Sequence, residues 1–247
     1  MSQTLEWLRE RPIAHRGLHN MHVGIPENSL AAFAAAVADG YGIELDVQAS
    51  ADGQAMVFHD WTLVRMTAAD GGVGDHDAAT LSALRLLQSR QTIPTLAQVL
   101  ALIAGRVPIV AEIKSRPGYA GAAEEAALHD LQNYDGAFAV TSFNARSLVW
   151  FRKRMPAWPR GQNVGSRHFR ASAPFWRRLA MRYLLDLDLD RARPDFIVYD
   201  SRDLPFWAAA RARAAGKPLL SFTVRERAEM RRLAPYVDNI VFEGFRA

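Results

Sequence analysis

The sequence predicts a (β/α)8 TIM barrel, and two observations carry the prediction. Eight short runs of β-branched and apolar residues are spread along the 247 residues, and alanine-rich amphipathic stretches follow most of them. That alternation marks repeated βα units, whose strands run parallel under a cover of helices. Eight such units in about 250 residues fit a closed barrel, with a doubly wound sheet as the alternative. The expected strands are 13–15, 43–48, 107–113, 138–142, 161–164, 196–200, 219–223 and 240–242. The expected helices are 29–38, 96–104, 120–132, 145–154, 175–185, 205–215 and 226–233.

The second strand, within "YGIELDVQ", has two unlike faces. Ile43, Leu45 and Val47 alternate as a half-buried strand should, while Glu44 and Asp46 share the other side. Period-two geometry sets those carboxylates about 7 Å apart and aims them the same way. After it, "SADGQ" carries the hairpin dipeptide Asp52-Gly53, so residues 55–59 are expected to fold back antiparallel as a rim extension. Residues 61–92, with the glycine cluster "DGGVGDHD", are too long for a plain βα connection and are expected to form a small insertion over the barrel. Neither a linker nor an internal repeat interrupts the chain, so 1–247 reads as one domain.

Composition narrows the function classes. With 49% apolar and 23% charged residues, and no apolar run near the ~18 residues of a spanning helix, the chain is of the soluble globular class. The start "MSQTLEWLRERP" has acidic residues where a signal peptide needs an apolar core, so cytoplasmic residence is the expectation. The absence of cysteine excludes disulfides, thiol nucleophiles and cysteine metal sites. Only three of the 30 basic residues are lysine, which reads as the coding bias of a GC-rich bacterium and not as a nucleic-acid surface. The net charge of +4 favours anionic substrates. The stretch 167–185 interleaves five arginines with Phe169, Phe175 and Trp176; it suits either weak contact with an anionic membrane or a helix packed on the barrel with its arginines in water.

The chemistry collects at the C-terminal strand ends, which form the active-site face of a barrel. Strand one ends in His15, Arg16 and Gly17; strand two carries Glu44 and Asp46; its hairpin returns His59 and Asp60; strand three ends in Glu112 and Lys114, two apart on one face. Glu44, Asp46 and Glu112 would converge, and a hard divalent cation such as Mg²⁺ or Ca²⁺ would relieve their repulsion. The alternative is an ion-pair network in which Arg16 and Lys114 neutralise them without metal. A lysine in so arginine-rich a chain suits a phosphate oxygen in a tight site, where a guanidinium fork does not fit.

The run "IAHRG…PENSLAAFAAAVADGYGIELDVQASADGQAMVFHD…IPTLAQVL…PIVAEIK", with "VTSFNARSL" further on, resembles the glycerophosphodiester phosphodiesterase family. The resemblance implies a TIM barrel with an insertion after the HD element, and metal-dependent hydrolysis of small phosphodiesters to glycerol 3-phosphate and an alcohol. Carried over by position, it implies that His15 and His59 are the acid–base pair, that Glu44, Asp46 and Glu112 bind the metal, and that Arg16 and Lys114 hold the phosphate. Glu27 and Asn28 would support the site; Asn28 is alternatively a plain helix N-cap. Phe222, where the family commonly has tryptophan, would lie near the substrate. "NIVFEG" replaces the family's I-x-T-D element, and no role in the chemistry is assigned to Glu243. His19 and His22 fall in the loop before PEN; solvated positions are the expectation, lining of the entrance the alternative. The competing functions are lysophospholipase D-type cleavage of lysophospholipids and a non-catalytic phosphodiester-binding barrel.

Overall fold

A computed structural model describes residues 5–116, 119–165, 188–203 and 207–247. Strand β2 (Gly42–Ala49) shows how the sheet is phased. Ile43, Leu45 and Val47 pack outward against helices, in one cluster with Phe33, Val99 and Phe151, so Glu44 and Asp46 must face inward. Parallel neighbours keep that phase: Asp46 lies beside Glu112, Glu112 beside Thr141, and Thr141 beside Gly161.

The parallel strands are β1 (Ile13–Ala14), β2, β4 (Ile109–Ile113), β5 (Phe138–Ser142), β6 (Arg160–Val164), β7 (Phe196–Asp200), β8 (Leu219–Val224) and β9 (Asn239–Phe242). They pair in that order, and β1 joins both β2 and β9 to close an eight-stranded barrel, as the sequence predicts. Strand β3 (Ala55–Val57) runs antiparallel to Val47–Ala49. Because β1 touches β2 only at Gly42 and Ile43, β3 takes over that flank of β2 at the rim. The rim extension therefore ends at Val57, and His59 follows it as free backbone.

Around the barrel run α2 (Leu30–Asp39), α5 (Leu96–Ile103), α6 (Ala122–Leu131), α7 (Ala145–Arg154), α8 (Trp207–Ala214) and α9 (Arg227–Leu233). Helix α2 starts on Ser29, whose hydroxyl accepts the Ala32 N–H at 3.2 Å. Asn28 is thus no N-cap. The helix expected at 175–185, within the arginine-rich stretch 167–185, lies outside the described residues, as do 205 and 206 of the helix expected at 205–215. Among the described residues no helix is long and apolar enough to cross a membrane.

The lumen is apolar at its lower end. Ile13, Val110, Ala139, Phe196, Val198, Leu220 and Val241 point inward there and are joined by Leu8 of α1 (Trp7–Glu10), a short helix the sequence did not announce. The Asn239 carboxamide holds it by donating to Leu8 O at 2.8 Å and Arg11 O at 2.6 Å. Gly161 is required in this layer: a Cβ there would sit 2.4 Å from the Phe196 ring. Over the upper end, 61–92 holds α3 (Val64–Thr67) and α4 (Ala78–Ala83) around their own core of Phe58, Leu63, Met66, Val73, Leu81 and Leu86.

Candidate active site

The upper end of the lumen opens into a cavity of about 260 Å³, lined on one side by His15, Arg16, Glu44, His59, Glu112 and Lys114. Every strand end that the sequence singled out contributes. Asp46 lies just behind this wall, 1% exposed. Arg16 and Gly17 leave β1 with left-handed backbone, φ 57° and 80°, which curls the loop back over the barrel end. A Cβ on Gly17 would press on the Ala32 backbone at 2.9 Å, so the tight turn needs glycine twice over.

One oxygen each from Glu44, Asp46 and Glu112 lie within 4.8 Å of one another, and all three residues are buried. Their neutralisation is uneven. Lys114 Nζ lies 2.8 Å from Glu112 and 3.2 Å from Asp46, and Arg16 Nε lies 3.4 Å from Asp46. Asn28 adds a 2.8 Å hydrogen bond to Asp46. Burial alone would raise the Asp46 carboxyl, but Lys114 and Arg16 hold it well below its ordinary range. Among the described residues Glu44 receives only the Arg16 backbone N–H, at 3.0 Å, with His15 Nε2 3.9 Å away. Burial first, then Asp46 and Glu112, push the Glu44 carboxyl far up. The ion-pair network expected as the alternative thus exists, but it satisfies Asp46 and leaves Glu44 wanting positive charge. Three buried carboxylate oxygens around one point fit a hard cation.

Both imidazoles are held through Nδ1. His15 Nδ1 lies 2.5 Å from Glu243 Oε2, and Arg225 Nη2 holds the other oxygen of Glu243 at 2.8 Å. His59 Nδ1 lies 2.6 Å from Asp60 Oδ1, and Arg65 donates to both oxygens of Asp60. A carboxylate can only accept, so each Nδ1 carries the proton and each Nε2 is left for chemistry. Burial pushes the His15 imidazole below its ordinary value, against the opposing hydrogen bond to Glu243. Burial would raise Glu243, but the His15 hydrogen bond with nearby His19 and Arg225 holds it far down. Glu27 ties the halves together: Arg16 Nη1 reaches it at 2.7 Å and Arg65 Nη2 at 2.6 Å.

Several of these residues correct or extend the sequence reading. Glu243, to which no role was assigned, is the partner of His15. His19 lines the cavity at 3.9 Å from Glu243 and is no solvated loop residue. Asn163 of β6 donates to Glu112 Oε2 at 3.1 Å, and Arg65 comes from the insertion; neither was singled out. Alternation along β6 and β9 would have found Asn163 and Glu243, since Gly161 and Val241 already face the lumen. Phe222 does line the cavity, meeting Phe143 edge to face with ring centres 5.7 Å apart.

The sequence pattern of the glycerophosphoryl diester phosphodiesterase family matches residues 15–242, nearly the whole barrel. The chain belongs to that family. A glycerophosphodiester phosphodiesterase of Caldanaerobacter subterraneus is 36% identical over 157 residues, a match covering 58% of this chain and 62% of that relative. The chain thus spans under two thirds of the length of that relative. One from Bacillus subtilis is 26% identical over 94% of this chain and 83% of its own length. Among solved structures, an Oleispira antarctica phosphodiesterase in complex with the product sn-glycerol-3-phosphate superposes with a TM-score of 0.80 at 25% identity, covering 98% of this chain and 95% of that one. This family member therefore has its barrel from a solved relative as well as from its own strand register.

Proposed function

We propose that the protein hydrolyses glycerophosphodiesters to glycerol 3-phosphate and an alcohol. The observation that carries the proposal is the meeting, at one cavity, of a buried acidic triad, of His15 and His59, each held by a carboxylate at Nδ1, and of the cations Arg16 and Lys114. A phosphodiester repels nucleophiles by its own charge, so hydrolysis needs that charge balanced and two protons moved. Glu44, Asp46 and Glu112 would hold a divalent cation, Mg²⁺ or Ca²⁺, which when bound supplies Lewis-acid polarisation of a phosphoryl oxygen.

The chain's own groups do the rest. Arg16 and Lys114 bind phosphate oxygens and orient them between the imidazoles. One ring enters neutral and its Nε2 takes the proton of the attacking oxygen; the other enters as imidazolium, protonated on Nε2 as well as Nδ1, and gives the Nε2 proton to the departing alkoxide; His15 and His59 are the pair. Glu243 and Asp60 keep both rings in the tautomer that leaves Nε2 available. Glu27 and Asn28 brace Arg16 and Asp46, and Phe222 with Phe143 walls the cavity. A non-catalytic binder would have no use for two imidazoles each oriented by a carboxylate.

The test is an alcohol-release assay over glycerophosphodiesters and lysophospholipids, with Mg²⁺, with Ca²⁺ and with excess chelator. Turnover of glycerophosphodiesters that chelation abolishes is the expected result. Full turnover in chelator removes the metal from the scheme, and release from lysophospholipids alone makes the chain a lysophospholipase D.

A further inference from the structure

We propose that the esterified alcohol this cavity accepts bears a negative charge, and that Arg225 selects it at the mouth. The proposal rests on the phosphodiesterase reading of the site and names its substrate more narrowly. Arg225 follows β8, lines the cavity and keeps its side chain 64% exposed. Its guanidinium spends Nη2 on Glu243, and among the described residues its other N–H groups have no partner. A guanidinium carries five donors in a flat fork, so most of this one is presented to whatever occupies the mouth.

Among the described residues, the acids at the cavity outside the triad are engaged. These lining carboxylates are Glu27 and Glu243. Glu27 is held between Arg16 and Arg65, and Glu243 between His15 and Arg225, each through both oxygens. Glu229, on the outer side, accepts the Arg225 backbone N–H at 3.1 Å and pairs with Arg232 at 3.6 Å. Glu226 lines a separate outer hollow with Arg225 and Arg232. An ammonium head needs a free carboxylate or an aromatic cage. Phe143 and Phe222 meet at an interplanar angle of 77°, which gives a two-ring wall. A carboxylate or phosphate on the alcohol instead meets an open guanidinium fork, the geometry that binds such groups in two places at once.

The experiment compares three matched esters of glycerol 3-phosphate: with choline, with propanol and with 3-hydroxypropionate, respectively cationic, neutral and anionic. Wild-type protein is expected to favour the anionic ester over the cationic one in kcat/KM by about tenfold or more, the scale of one half-screened charge contact. Raising the salt concentration should shrink that ratio. In Arg225→Gln all three esters slow together, because Glu243 loses a partner, but that common loss cancels in the ratio, which should collapse towards unity. Arg225→Lys keeps the charge without the fork and should keep the anionic ester first. Preference for the choline ester in the wild type, or a ratio unmoved by Arg225→Gln, overturns the proposal and leaves the hydrolase reading standing. Failure to hydrolyse any of the three with Mg²⁺ or Ca²⁺ removes the hydrolase reading, and this proposal with it.

Discussion

The two imidazoles are held by the same three-part arrangement in unlike surroundings. His15 and Glu243 join the first and last strands, with Arg225 from the end of β8; the imidazole, carboxylate and guanidinium are 12%, 19% and 64% exposed. His59, Asp60 and Arg65 belong to a hairpin and the insertion after it; there the imidazole is 32% exposed and the guanidinium 47%. The first arrangement buries its imidazole and spans 228 residues of sequence; the second is local and its imidazole is wetter, while the two carboxylates are equally covered. A buried hydrogen bond that loses one partner leaves the other unsatisfied, whereas water can replace a partner at an open site. One imidazole is thus held mainly by packing and the other by an adjustable clasp.

The largest effect expected is at the rings themselves. His15→Ala and His59→Ala should each lose about 10² or more in kcat, and the double variant should be scarcely worse than the poorer single one. A p-nitrophenyl ester, whose leaving group departs without protonation, should rescue only the variant lacking the general acid. Equal modest losses with both esters would mean that the rings merely hold phosphate.

Next come the carboxylates. Glu243→Gln should cost roughly 10–100-fold in kcat, the range seen when the partner orienting a working imidazole is removed. Asp60→Asn should cost less, because water reaches that ring. Steady-state kinetics that rank them the other way break the comparison.

Arg65 is smaller still and more telling. It grips Asp60 and Glu27 together, so Arg65→Ala should touch both kcat, through His59, and KM, through Arg16, each by less than about tenfold. Added guanidinium should restore part of both; restoration of neither would show that the insertion needs Arg65 only for its own packing.

The smallest expected effect is on acid stability. Glu243 and Glu27 are both held below their ordinary 4.5, against burial, by His15 and by the arginines at their oxygens. A depressed carboxyl contributes stability that is present above that value and lost as the pH falls through and below it. The thermal midpoint should accordingly fall as the pH drops below 4.5, more gently in Glu243→Gln than in the wild type. Equal slopes in the two proteins would place the acid sensitivity elsewhere.

Much of this was legible in the sequence, for reasons the barrel makes plain. Strands whose two faces differ announce their own phase, so Glu44, Asp46, Glu112 and Lys114 could be set at one rim from period two alone. The HRG and HD elements are contiguous, and contiguous motifs survive reading one residue at a time. Glu243 was missed because its partner lies 228 positions away; only the alternation of β9, with Val241 on the lumen face, carries a signal for it. Arg65 was hidden for a different reason: an arginine inside an insertion looks like solvated charge until Glu27 and Asp60 are seen on either side. Helix α1 escaped because four residues are too few for a helical period to show.

The closed floor of the lumen has a bearing on the order of events after hydrolysis. With Phe196 filling the space that Gly161 vacates and Leu8 beneath, the cavity is closed below among the described residues. On the proposed reading, both products would leave through the mouth by which the diester entered. An alcohol held beside Arg225 would stand between the bulk solvent and the phosphorylated half below it. Release would then be a queue, with the alcohol first and the phosphorylated half, over the acidic triad, last and in competition with incoming diester.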